Sequence, residues 1–521
     1  MARIVLVNPR FDVSYWGMEG ALPFFGKRAT LPTACLPLLA ALTPAEHEVT
    51  VVDENVEALD LDRVARADIV GLTGMVVQRA RMRQILEGLK ARGAFVVVGG
   101  PWVTVREDYF GDLVDVIFVG EAEQTWPRFL AEWRAGIHAR RYEQSEPTDM
   151  STVPCPRYDV LSIGAYMSGS VQFSRGCPFE CEFCDIIVTF GRRPRLKTAP
   201  QVLVELEALR RNGLDLAFIV DDNLIGNKRA VKVLLRAVAN WQEANGFPLT
   251  FFTEASLDLA EDDELMRLMV QANIHCVFIG IESPNEESLR ETKKLQNLRA
   301  RGGTLQDKIR AIQRQGLEVW CGMILGFDHD ATDIFDAQVR LVTDARISQA
   351  MVGMLSAIPK TPLHARLAAA GRLDDSDPPR FGTNVVPLRM TSEELSDGYV
   401  RVMRELYEPA AYFARVDSLL LDPDFSPAAA QRDYWRRHPV RGLVAQSWNA
   451  IRALAVYHRL TRRVPDPDLR DEYRRRIRAV WRLRRDPFLA FVYACKCALH
   501  YHYVEMNRRM RQADRVLVNT F

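Results

Sequence analysis

The chain has 521 residues, enough for roughly two to four domains with sizeable cores, and its 48% hydrophobic and 26% charged content is ordinary globular composition. A net charge of +1 gives no whole-chain attraction for nucleic acid, so no nucleic-acid partner is expected. The N-terminus lacks the pattern of a signal peptide, no uncharged apolar run reaches the roughly 18 residues a spanning helix needs, and the nine cysteines do not form a secreted disulfide pattern; a cytoplasmic protein is expected.

Residues 1–136 alternate strand-like runs with helical patterns: RIVLVNP, HEVTVVDEN, ADIVGLTGM, AFVVVGGP and DVIFVGEAE. Between the third and fourth runs, VVQRARMRQILEGLKARG has helical spacing and closes on Gly93. This rhythm predicts an α/β domain with a doubly wound parallel sheet. Such sheets bind ligands beyond the carboxyl ends of their strands, where Thr73, Gly74, Gly99, Gly100, Pro101, Gly120 and Glu121 fall. Tight turns alone would also account for the glycines.

Residues 137–165, polar and carrying Pro154 and Pro156, read as a linker. From 166 to 387 the rhythm resumes in SVQFSRG, LAFIVDDN, LTFFTEAS, CVFIGIES, EVWCGMILGF and QAMVGMLSAIP. These runs and their helices predict a partial (β/α)6 barrel, with its site at the strand carboxyl ends. Residues 388–521 read as an all-α extension, and from Arg432 onward it carries 21 Arg/Lys against 8 Asp/Glu.

The barrel's first strand leads into SRGCPFECEFCDI, which sets Cys177, Cys181 and Cys184 in a C-x-x-x-C-x-x-C loop. Structural zinc wants four closed ligands. Cys155 is distant in sequence, and His275 or Cys276 would need a fortunate fold to complete the set. Iron–sulfur clusters also prefer four thiolates. Three leave one iron free to bind something else, which is a catalytic arrangement.

This spacing, with Phe183 just before the last cysteine, resembles the radical S-adenosylmethionine (SAM) superfamily. The resemblance implies a [4Fe–4S] cluster on Cys177, Cys181 and Cys184 whose open iron binds SAM and cleaves it to a 5′-deoxyadenosyl radical. It also implies SAM contacts at the strand ends: Asp221 and Asp222 toward the methionine ammonium, Glu254 and Ser256 after the third strand, Glu282 after the fourth. Gly322 and Gly326 would lie against adenine. Two bland alternatives stand beside these, Asn223 as a helix N-cap and Glu282 as a buried ion-pair partner.

The first domain, with LPTACLPLLAALTP, VVDEN, GGPWVT and VGEAEQT, resembles the cobalamin-binding subfamily. PRLKT, VDDNLIGNK, IPKTPLHARL and the helical extension resemble its hopanoid 2-methylase branch. The family's common D-x-H-x-x-G loop is missing, and Asp328-His329-Asp330 lies in the wrong domain, so cobalamin is expected without a histidine lower ligand. The implied function is a cobalamin-dependent radical SAM C-methyltransferase acting at an unactivated carbon of a hydrophobic, hopanoid-like substrate. Its site would lie between the first domain's strand ends and the barrel mouth, and an electron donor such as a flavodoxin or ferredoxin would serve it. The alternatives are a cyclase or oxidase using the same cofactors, and a non-enzymatic corrinoid or iron–sulfur module.

The last helix, around Phe488 to Met506, mixes aromatics with Lys496, His500 and arginines. It reads either as a cap on the barrel or as a peripheral contact with an anionic inner-membrane face, the two being compatible. Cys495 and Cys497 read as buried thiols.

Overall fold

The computed structural model describes residues 1–298, 301, 303–510 and 519. Its frame is two parallel sheets of six strands each. The first contains β1 (Arg3–Asn8), β2 (Glu48–Asp53), β3 (Ile69–Thr73), β4 (Val96–Gly99), β5 (Val116–Val119) and β6 (Arg141–Glu143), in the order β2-β1-β3-β4-β5-β6. The order reverses at β1, as a doubly wound sheet requires. Helices cover it with apolar stripes, for example Met82, Ile85, Leu86 and Leu89 on Arg79–Lys90. The segment read as linker supplies β6, because Tyr142 is buried there and stacks on Phe118 at 5.3 Å.

Next come β7 (Gly169–Val171), β8 (Ser174–Arg175), β9 (Arg195–Leu196), β10 (Leu216–Ile219), β11 (Thr250–Ala255), β12 (Ile274–Glu282), β13 (Glu318–Leu325) and β14 (Gln349–Met354). The second sheet runs β14-β13-β12-β11-β10-β7, parallel throughout and open between its edge strands. It is the partial barrel expected from the six apolar runs. The short antiparallel pair β8–β9 brackets the cysteine loop.

The helical extension shares its core with the barrel: Tyr399, Tyr407, Tyr412 and Tyr503 belong to the same apolar cluster as Cys321, Met323 and Val352. The first domain also reaches in. Trp16, beyond β1, lies 5.0 Å from Phe278 and 6.5 Å from Phe218, over an aromatic layer that continues through Phe252.

The last helix, Pro487–Met510, takes the first of its two readings, a cap on the barrel. Lys496 is 3% exposed and ion-paired with Glu318 at the start of β13, while His500, fully buried, meets the Tyr473 hydroxyl at 2.7 Å. A buried lysine needs such a partner. This helix is therefore a cap packed into the barrel's core, with Lys496 and His500 turned inward and Arg508 and Arg509 exposed at its end.

Candidate functional site

Two aspartates at the end of β10 shape the cysteine loop. Asp221 accepts from the Phe173 amide at 2.7 Å and the Ser174 hydroxyl at 2.5 Å; Asp222 accepts from the Gly176 amide at 2.7 Å. Gly176 has φ +94°, and a Cβ there would stand 2.9 Å from the Gly191 carbonyl oxygen, so only glycine lets the chain enter the loop this way. Asp221 thus departs from its expected role as an ammonium ligand. Both its oxygens are committed, and burial pushes its pKa up to about 7.

Polar side chains from distant elements approach the thiols. Asn223 Nδ2 lies 4.0 Å from Cys177 Sγ, and Gln296 Nε2 lies 3.6 Å from Cys181 Sγ. Lys294 pairs with Glu282 at 2.6 Å and lies 5.9 Å from the Phe183 ring centre. Its pKa rises above the usual lysine value: burial opposes the rise, but Glu282 and the thiols of Cys181 and Cys184 outweigh it. Glu282 is therefore the ion-pair partner that the bland reading allowed. Its φ is +68°, at an irregularity in the β12–β13 register, and a Cβ on Gly280 would fall 2.3 Å from its carboxylate oxygen. Glycine at 280 makes room for that carboxylate. Lys294 and Gln296 had no sequence signal, since neither sits at a strand end.

The floor of the barrel mouth is acidic. Ser256 is committed, donating to Asp258 at 2.5 Å and accepting from Asn223 at 3.1 Å. The Asn223 Oδ1 is buried without a donor. Glu254 has a pKa of about 8, raised by burial first and then by the charge of Asp222, whose own is about 6 through burial. Gly322 lies within β13 opposite Gly280, and Gly326 turns the chain after it with φ +98°.

Facing this floor, a cavity of about 1350 Å³ separates the two sheets' strand ends. The barrel contributes Phe183, Cys184, Asp185, Ile324 and Met354; the first domain contributes Arg10, Met75, Val76, Pro101 and Trp102. Met506, Arg509 and Met510 close one side. Of the seven first-domain residues expected at a corrin, Pro101 lines this cavity, while Thr73 and Gly99 end β3 and β4 and Gly74, Gly100 and Gly120 follow β3, β4 and β5 without lining it. Glu121 is the exception and a correction. Its carboxylate is buried between Arg175 at 2.7 Å and Arg195 at 2.9 Å, and so joins the first domain to β8 and β9. Further ties across the gap are Arg79–Asp377 at 2.6 Å and Lys360–Glu107 at 3.0 Å.

These residues fit the implied groups. Among the described residues, no His, Cys, Asp or Glu cluster is arranged to hold a single metal ion. A cluster makes a different demand, because each thiolate meets a separate iron. The side-chain amides and the lysine directed at the sulfurs suit an anionic cluster. The acidic floor and the orphan Asn223 oxygen suit a cation such as a methionine ammonium. The cavity offers space between the sheets for a large planar group.

One expected result follows. In an empty site Glu254 holds its proton below pH about 8, and a cationic ligand favours the carboxylate. The Kd for SAM on cluster-loaded protein should therefore tighten as pH rises from 6 toward 8, by at most about tenfold per unit, and level off above. Glu254→Gln should weaken binding and flatten the profile. An unchanged slope in that variant would remove Glu254 from the ligand set.

Comparison with known proteins follows this division of the chain. Residues 30–130 match a B12 binding domain, 171–336 the radical SAM superfamily, and 361–515 a domain of unknown function. An uncharacterized methyltransferase of Synechocystis is 41% identical over 79% of this chain and 77% of its own length. The hopanoid C-2 methylase of Rhodopseudomonas palustris is 32% identical over 80% and 79%. The solved structure of the radical SAM methyltransferase TsrM from Kitasatospora setae, with cobalamin and a [4Fe–4S] cluster, superposes with TM-score 0.57 at 17% identity over 78% of this chain and 85% of that one. The cobalamin-dependent radical enzyme OxsB, with aqua-cobalamin and SAM, gives TM-score 0.62 at 14% identity over 99% and 80%. The likeness to these two structures is one of fold.

Proposed function

The chain belongs to the cobalamin-dependent radical SAM methyltransferase family, whose members use a [4Fe–4S] cluster, SAM and cobalamin, and from that premise we propose that it methylates an unactivated carbon of a hydrophobic, polycyclic lipid-like substrate. The supporting observation is the lining of the cavity between the two cofactor-binding faces, which is more apolar than polar: Val13, Met75, Val76, Trp102, Ile324, Met354, Ile358 and Met506 stand there beside charged groups such as Arg10, Asp12, Arg83 and Asp374. Burying rings against such side chains is worth about 25 cal/mol per Å² and needs no polar handle. The hopanoid C-2 methylase relative makes a hopanoid-type lipid the first substrate to test.

When bound, the cluster and SAM supply hydrogen abstraction, and cobalamin supplies the methyl group. The protein's own work is holding and shielding. Cys177, Cys181 and Cys184 hold the cluster; Asn223 and Gln296 donate to sulfur, which steadies the thiolates and raises the potential. Lys294, fixed by Glu282, offsets the negative charge around the cluster. Asp222, Glu254 and the Asn223 oxygen hold the methionine ammonium, while Gly322 and Gly326 leave room for adenine. Met75, Pro101 and Trp102 wall the opposite side, where corrin and substrate meet. The apolar lining excludes water from a reactive carbon, and the ion pairs joining the sheets keep donor and acceptor faces in register.

The test is anaerobic assay of reconstituted protein with methyl-labelled SAM, a low-potential electron donor such as reduced flavodoxin, and a hopanoid acceptor. The expected products are a labelled lipid, S-adenosylhomocysteine and 5′-deoxyadenosine in equal amounts. Deoxyadenosine with an unmethylated, oxidised or cyclised product would replace methyl transfer by the cyclase reading.

A further inference from the structure

A face of the helical extension lies outside all of this chemistry. On the helix Pro439–Arg463, Gly442, Asn449, Ala453, Val456 and Leu460 form the buried ridge. A surface helix presents polar side chains opposite such a ridge. Here the opposite side carries Val440, Leu443, Val444, Ile451 and Leu454 at three-, four- and seven-residue spacing, with Val440 76%, Leu443 71% and Leu454 66% exposed. Trp448, 58% exposed, stands at its edge. The next helix, Pro467–Arg484, packs against it and adds exposed Trp481 and Leu483. An exposed apolar face of this kind on a water-facing helix marks a contact surface.

The charges on the first of these helices are of one sign. The helix Pro439–Arg463 contains Arg441, Arg452, Arg459, Arg462 and Arg463 and no Asp or Glu. Arg452 is anchored to Asp215 of the barrel at 2.6 Å, and Arg459 and Arg463 donate to the Phe24 and Pro23 carbonyls of the first domain, which fixes the helix in place. Arg462 is exposed toward the end of the same helix, and exposed Arg478, Arg482 and Arg485 flank Trp481 in the sequence. Among the described residues, no helix is long and apolar enough to cross a membrane.

We infer that this two-helix face docks the protein on the surface of an anionic lipid bilayer. The apolar side chains of Pro439–Arg463 enter the headgroup–acyl boundary, Trp448 and Trp481 sit at headgroup level, and the arginines meet lipid phosphates. Charge favours this occupant over a second copy of the chain. A two-fold contact would set the same arginines against their symmetry mates, whereas anionic headgroups neutralise them.

The experiment is flotation of the full chain with vesicles of phosphatidylcholine alone or mixed with phosphatidylglycerol, beside its molar mass by light scattering. The chain should float with the anionic vesicles, less at high salt, and remain monomeric. L443E/L454E should cut vesicle partitioning about 100-fold while keeping the melting temperature, because both side chains are exposed. R462E/R482E should weaken binding to the anionic vesicles selectively. Absence of binding to either vesicle overturns the inference. So does a stable dimer that L443E/L454E converts to monomer, which assigns the face to a second copy. Flotation measures no methyl transfer, so its outcome is separate from that of the proposed reaction.

Discussion

A C177A/C181A/C184A chain should fold, take up cobalamin and contain no iron. The three sulfurs stand on one loop between β8 and β9, and that loop's path is set by Asp221, Asp222 and Gly176 rather than by the thiols. Replacing sulfur by hydrogen therefore removes the ligands and leaves the backbone supports. Anaerobic reconstitution of the native chain should give roughly four irons and one cobalt, and the variant one cobalt alone. Cleavage of SAM to 5′-deoxyadenosine should fall to background, because the electron that cleaves SAM comes from the cluster. Iron retained in the variant would place the cluster elsewhere. Native chain carrying four irons without cobalt would keep radical chemistry and remove the methyl carrier.

Lys294→Met should be the most damaging single change outside the cysteines. The Lys294–Glu282 pair lies at 2.6 Å with both side chains nearly out of solvent, and Glu282 is held in a left-handed backbone conformation against Gly280. Breaking a buried pair from one side leaves the other charge uncompensated, at a cost of about 3–5 kcal/mol. The melting temperature should fall, and Glu282→Gln in the same chain should restore most of it. Function separates this from a packing defect. With the cation gone, the cluster's charged surroundings become more negative, so its midpoint potential should move down in a redox titration followed by electron paramagnetic resonance. The double variant, with the pair's net charge restored to zero, should recover stability and most of the native potential. A single variant with native melting temperature and native potential would make Lys294 a bystander.

Several of the expected contacts turned out to be supports. Asp221 and Glu121 stand at strand ends, where ligand residues belong by position, yet each carboxylate is consumed by protein donors, the Phe173 amide and Ser174 for one, Arg175 and Arg195 for the other. Strand-end position narrows the candidates without telling a ligand from the residue that braces it. Gln296 approaches Cys181 across 115 residues of chain, and Lys496 meets Glu318 across 178. No local pattern announces such partners.

What the sequence determined by itself is local or periodic. The cysteine loop is a spacing within eight residues, Cys177 to Cys184, and both parallel sheets follow from apolar runs alternating with helices, because a strand buried on both faces must be apolar throughout. Tertiary structure decided which polar groups remain free. That depends on desolvation and pairing between remote segments, and each buried charge settles on whichever partner the fold brings within about 3 Å. Thus the basic helix ending in Met510 became a core element once Glu318 met Lys496. The apolar face of Pro439–Arg463 was left outside because its opposite ridge had already packed on the neighbouring helices.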